Sequence, residues 1–276
     1  MRTAPRERRG IPLRAFVPNA VTALALCSGL FGMRYGIAGE WNMAAGFIVL
    51  AAVLDGLDGR IARMLNGATK FGAELDSLSD VTAFGVAPAI ILYQFVLLGP
   101  DLSEASRDAW TSYGWLLALA HAVCCALRLA RFNASIDTQV QPHKSAGFLT
   151  GVQAPAGAGL LLLPIYLWLW TGQKIFRAPT LVAPWAALTA FLMISNLATF
   201  SWGSMRLRSH VRLGALVVIV LVGGALISAP WPTLSVAALI YAALIPLSIL
   251  AYAKVKKQRA ASASPLPAAG PDLPAT

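Results

Sequence analysis

The sequence reads as an all-α, polytopic membrane protein with about eight transmembrane helices. Its 276 residues are 57% hydrophobic and only 12% charged, and soluble domains carry about twice that share of charge. Several apolar runs reach the ~20 residues that a helix needs to cross a bilayer. The basic residues, which set a net charge of +10, gather at the ends of those runs, as the positive-inside rule requires. The excess of positive charge therefore reads as contact with an anionic membrane surface, not with nucleic acid.

Taken in order, residues 1–14 carry five arginines and one glutamate and are expected to form a basic cytoplasmic arm. They are not expected to act as a cleavable signal, because the following run continues as a full span. Residues 15–253 are expected to form one transmembrane domain. Span 1 covers about 15–38. Asn19 reads as a helix N-cap, with Thr22 one turn further along the same face. Span 2 covers about 41–64 and span 3 about 76–98, where Pro88 predicts a kink. Residues 100–108 hold three acids and one arginine and suit the outer side. Span 4 covers about 109–129, span 5 about 146–170 with Pro155 and Pro164, span 6 about 181–200, span 7 about 213–229 and span 8 about 233–253. The loops at 65–75, 131–145 and 203–212 are basic, which puts them and both termini in the cytoplasm. Residues 254–276, basic and then Ala/Pro/Ser-rich, read as a disordered tail. Cys27, Cys124 and Cys125 lie inside apolar runs as packing residues, and His121 reads as a core histidine. His143 and His210 fall in loops, with no triad or metal spacing.

The chemistry concentrates in Asp55–Asp80, DGLDGRIARMLNGATKFGAELDSLSD, which holds five of the twelve acidic residues. Each charge at bilayer depth costs at least ~2.5 kcal/mol, so four aspartates there call for compensation, most simply by cations. Asp55, Asp58 and Ala62 share one helical face, as do Gly72, Asp76 and Asp80. The dipeptide Asn66-Gly67 predicts a turn between two helices that would bring the four carboxylates together. Hard oxygen ligands suit Mg²⁺ or Mn²⁺. Gly59 and Gly72 remove side chains and would let a flat ligand approach the backbone.

Those residues resemble the signature of the CDP-alcohol phosphatidyltransferase family. Asp55-x2-Asp58-Gly59-x2-Ala62-Arg63-x8-Gly72-x3-Asp76-x3-Asp80 has every fixed position at the family spacing. The resemblance implies a six-helix core, here with two extra C-terminal helices, and a homodimer. It also implies two divalent cations, Mg²⁺ or Mn²⁺, held by Asp55, Asp58, Asp76 and Asp80, with Asp80 as the base for the incoming hydroxyl. The CDP group would lie against Asn19, Thr22, Asp58, Gly59, Ala62, Arg63 and Gly72, the first two forming the family's PN-x-x-T entry. The string Arg128-Leu-Ala-Arg131-Phe-Asn133 is similar to the bacterial, serine-using branch, which implies CDP-diacylglycerol as donor and L-serine as acceptor in the cytoplasmic membrane, with the site facing the cytoplasm. Arg128, Arg131 and Asn133 would then contact acceptor or phosphate. The two arginines read equally well as anchors that snorkel to the membrane surface. The segment Gly147–Pro155 matches that branch only in part, so choline, inositol or glycerol 3-phosphate stand as other acceptors. An ion-coupled transporter would call for inverted repeats or paired broken helices, and the sequence has neither.

Overall fold

The computed structural model describes residues 13–136, 148–195, 198–200 and 209–262. The arm up to residue 12, His143 with its loop, Arg206, Arg208 and the tail beyond residue 262 lie outside the described residues. The described chain is helical apart from one short ribbon. Its helices are α1 (Leu13–Ile37), α2 (Trp41–Met64), α3 (Lys70–Asp80), α4 (Ala87–Leu97), α5 (Glu104–Ile136), α6 (Ala154–Leu161), α7 (Leu163–Thr171), α8 (Pro179–Ile194), α9 (Ser209–Ser228) and α10 (Pro230–Ser262). Strands β1 (Phe148–Thr150) and β2 (Ala198–Phe200) pair antiparallel, with Phe148 opposite Phe200.

Two turns built alike set the first three helices. Where α1 ends, Gly39 adopts φ +79, the Glu40 amide donates to Tyr35 O (2.9 Å) and the Gly39 amide to Gly36 O (3.2 Å). This is a Schellman cap, which closes a helix through one left-handed residue. Where α2 ends, Asn66 takes that role at φ 49, and the Gly67 amide donates to Ala62 O (3.0 Å). The left-handed residue of the expected turn is thus the asparagine. Thr69 then caps α3, its Oγ1 accepting from the Gly72 amide at 3.0 Å.

Between α3 and α4 the helix widens into a π-helical segment, Val81–Val86. Pro88 has no N–H to return to Phe84 O, and the wider winding re-routes the local bonds. His121 Nε2 lies 3.4 Å from Phe84 O. The expected kink is therefore a change of winding. A side chain at Gly29 would come within 2.7 Å of Ala83, so α1 packs directly on the widened turn. Trp41, Ala44, Ala45, Ile48 and Ala51 of α2 are buried against Phe84, Ala87, Ile91 and Phe95. Small residues of this kind let membrane helices approach closely.

Four described helices are long and apolar enough to cross a membrane: Phe16–Ile37, Lys70–Leu97, Glu104–Ala134 and Pro230–Ser248. A fifth arises if α6 and α7, bent by 43°, count as one span. Such a set fits an integral membrane protein. Other elements depart from the sequence reading. Helix α1 starts at Leu13 and carries Pro18 inside it, so Asn19 is a mid-helix residue and not an N-cap. Phe148–Thr150 belong to strand β1, and the helix of that region starts only at Ala154. Helix α8 has 16 residues, shorter than the expected span over 181–200. Helix α10 runs on to Ser262, because Ala, Lys, Gln and Arg sustain a helix where composition alone suggests a tail.

Candidate active site

Helices α2 and α3, joined by the Leu65–Thr69 turn, both pack on α1. Asp55 comes from α2, and Asp76 and Asp80 from α3. One carboxylate oxygen of each lies within 4.8 Å of the others. Two ionised carboxylates at that separation repel by at least about 3 kcal/mol at an effective dielectric of 20. No lysine or arginine forms a salt bridge with them among the described residues; Arg128 of α5 lies within electrostatic reach of Asp80. A cluster of three half-buried hard oxygen donors short of positive charge fits a divalent cation.

Asp58 stands apart from that trio. It is 5% exposed, and its Oδ2 accepts a 2.6 Å bond from Thr22 Oγ1. The same hydroxyl lies 3.1 Å from Pro18 O. Having one proton, it can serve only one of the two acceptors at a time, and the carboxylate is closer and charged. Asp58 remains within electrostatic reach of Asp55 and Asp76. Asn19, half-buried, sets its Oδ1 where a Gly72 side chain would be, 2.7 Å from an ideal Cβ. The missing side chain of Gly72 thus makes room for Asn19, whereas Gly59 opens on free space with nothing within 4 Å. Ala62 is half-buried and Arg63 exposed at the end of α2.

The two arginines of α5 part company. Arg128 turns inward toward Asp80, and its buried Nε has no hydrogen-bond partner among the described residues. Arg131 donates from Nη2 to Ile194 O (3.0 Å) at the end of α8, so the two do not form a joint clamp. Asn133 donates from Nδ2 to Ser77 Oγ (2.9 Å) and ties α5 to α3. Ser79 donates to Thr22 O (3.3 Å) and ties α3 to α1. Neither serine was singled out from sequence; their place on α3, beside Asp76 and Asp80, was the signal available.

A membrane-helix bundle with a half-buried carboxylate cluster at one end fits an integral membrane protein whose acidic groups could hold a metal ion. The comparisons narrow it further. Residues 15–202 match the family model for CDP-alcohol phosphatidyltransferase, and residues 210–246 match CDP-alcohol phosphatidyltransferase 2. The chain is 34% identical, over 249 residues, to the CDP-diacylglycerol–serine O-phosphatidyltransferase of Mycobacterium leprae (strain TN), covering 90% of this chain and 79% of that one. It is 38% identical over 156 residues to the protein of that name from Helicobacter pylori (strain J99), covering 56% and 59%. To that of Bacillus subtilis (strain 168) it is 32% identical over 118 residues, covering 43% and 61%. The chain belongs to the CDP-alcohol phosphatidyltransferase family.

Proposed function

We propose that this enzyme transfers the phosphatidyl group of CDP-diacylglycerol to L-serine, releasing CMP and forming phosphatidylserine. The observation that carries the reading is the trio Asp55, Asp76 and Asp80 in a chain similar over nine-tenths of its length to a serine-using relative. The serine hydroxyl oxygen attacks the β-phosphorus, the phosphorus–oxygen bond to CMP breaks, and Asp80 takes the hydroxyl proton. Asp55, Asp58, Asp76 and Asp80 would hold two divalent cations, Mg²⁺ or Mn²⁺, whose contribution when bound is to neutralise the pyrophosphate and stabilise departing CMP. Thr22 keeps Asp58 oriented, Asn19 and Gly72 shape the wall on which the nucleotide lies, and Gly59 and Ala62 leave it room. Arg63 and Arg128 face donor phosphate. Arg131 and Asn133 hold the end of α5 in register, bringing the serine carboxylate within reach of Arg128.

The same reading sets the chain in the bacterial cytoplasmic membrane as a homodimer of eight-span protomers. Residues 15–253 form the catalytic domain, a six-helix core plus two C-terminal helices. The arm at 1–14, the tail, both termini and the carboxylate end face the cytoplasm.

An acceptor panel tests the proposal. Purified protein with CDP-diacylglycerol and Mg²⁺ or Mn²⁺ should release CMP when serine is added and form phosphatidylserine. Faster release with inositol, choline or glycerol 3-phosphate would overturn the serine assignment while keeping the chemistry. No CMP release with any acceptor would overturn both.

A further inference from the structure

Helix α10 lies outside the family match that holds the aspartates and inside the second match. It packs against α6 and α7, and with α2 and α6 it encloses a cavity of about 300 Å³. Small residues on all three helices leave this space open: Ala52 of α2, Gly159 of α6, and Ala237 and Ala238 of α10. On α6 two uses of glycine stand side by side. Gly157 has Met193 Sδ within 2.8 Å of an ideal Cβ, whereas a side chain at Gly159 would meet nothing within 4 Å. The cavity also leads to the carboxylates. Ile48 and Ala52 line it, and Asp55 follows them at i+7 and i+3, on the same face of α2. That stripe continues through Gly56 and Gly59, each with nothing within 4 Å of an ideal Cβ. We propose that the cavity takes one acyl chain of the donor lipid, and that Gly159 and Ala238 set the chain length it accepts.

The proposal rests on the functional reading above and deepens it. The cavity lining carries no charged side chain and is apolar apart from Tyr166 and Tyr241. A serine, a nucleotide or a phosphate held there would lose its hydration without gaining partners. A hydrocarbon chain leaves no polar group unsatisfied and gains contacts. The space is about twice the engineered apolar cavity, ~150 Å³, that holds a benzene ring, which is room for roughly ten carbons of one chain and not for two chains. Asp55 lies about 4.5 Å further along the α2 axis than Ala52, at 1.5 Å per residue. A lipid with its pyrophosphate at the carboxylates therefore brings one chain to the mouth of the cavity. A larger side chain at Gly159 or Ala238 would fill space that this chain needs, and the other chain stays in the bilayer.

Acyl selectivity tests this on the full chain in phosphatidylcholine nanodiscs, with serine as acceptor. Dipalmitoyl and dioctanoyl CDP-diacylglycerol compete in one mixture, and mass spectrometry counts the two phosphatidylserine products. Ala238→Leu should lower the ratio of long-chain to short-chain product about tenfold, the scale of a one-methylene misfit in an apolar pocket. Gly159→Ala adds a methyl that touches no other residue, so it should lower the ratio about threefold without lowering the thermal midpoint. Ile240→Phe, at an exposed site on α10, should leave the ratio within about twofold. In the wild type, a donor with a diazirine at the end of one chain should photolabel the cavity-lining segments of α6 and α10. Unlabelled donor should displace it, and phosphatidylcholine carrying the same diazirine should not label there. Unchanged ratios in both variants, or equal labelling by phosphatidylcholine, would overturn the proposal alone, because the cavity then holds ordinary bilayer lipid. A wild-type protein that releases no CMP with any acceptor would overturn the functional reading, and the proposal with it.

Discussion

At the start of α2, Arg177 sits among three aromatic rings; about 21 Å further along the same helix, at 1.5 Å per residue, Asp55 meets Asp76 and Asp80. Both places hold charge within a largely apolar bundle, and they treat it in opposite ways. The Arg177 guanidinium lies 4.7 Å from the Phe95 ring centroid, 5.2 Å from Trp41 and 5.5 Å from Trp168, and its Nε donates to Phe95 O at 2.5 Å. Nearby, Arg107 donates to Leu97 O (2.6 Å) and Gly99 O (3.3 Å), carbonyls left open where α4 ends. Every partner there is a fixed part of the chain. At the other end three carboxylates crowd together, and among the described residues their one near cation, Arg128, has its Nε unpaired. The difference separates charge that the fold satisfies internally from charge that it leaves without an internal partner, as the proposed metal site requires.

The sharpest way to break that distinction is to remove one carboxylate. Asp76→Asn should lower CMP release at least a hundredfold, since a metal ligand contributes several kcal/mol. In metal-free protein its thermal midpoint should rise, because the substitution relieves repulsion. Turnover above about a tenth of wild type, or a lowered midpoint, would place Asp76 with the structural charges.

Arg177→Met tests the opposite end. Losing the cation–π contacts and a charged hydrogen bond should cost about 2–3 kcal/mol of stability, visible in thermal unfolding, with kcat within about twofold of wild type below the transition. A large loss of turnover at unchanged stability would contradict the division.

Thr22→Val, which leaves Asp58 without its hydroxyl partner, should lower kcat/KM about tenfold, the value of one hydrogen bond to a charged group. A tenfold loss of stability without a kinetic effect would make that bond structural.

The smallest effects sharpen the picture at two glycines. Gly59→Ala meets nothing in the protein, so it should raise the KM for CDP-diacylglycerol a fewfold and leave stability alone. Gly72→Ala must push Asn19 aside, so it should also cost about 1 kcal/mol of stability.

Much of this was legible in the sequence, wherever a local rule decides the outcome. The bounds of α2 follow from its apolar run, and the turn after it from Asn66. The facing of Asp55 with Asp76 and Asp80 follows from helical spacing. What stayed hidden depends on partners distant in sequence. The 2.6 Å bond from Thr22 to Asp58 links residues 36 apart, and helical spacing alone groups Asp58 with Asp55. Arg128 and Arg131 share a face by spacing, yet one turns to Asp80 and the other to the end of α8. Pro18-Asn19 has the look of a helix start, because nothing local reveals that Leu13 already begins the helix.

The most direct test of the division between the two ends is thermal unfolding with and without Mn²⁺. At about a hundredfold excess over its dissociation constant, a ligand that binds only the folded state stabilises by about 2.7 kcal/mol. The account predicts a clear rise in midpoint for the wild type, no rise for Asp76→Asn, and an undiminished rise for Arg177→Met from its lower baseline. A midpoint in the wild type that does not respond to Mn²⁺, or a rise that survives in Asp76→Asn, would contradict it.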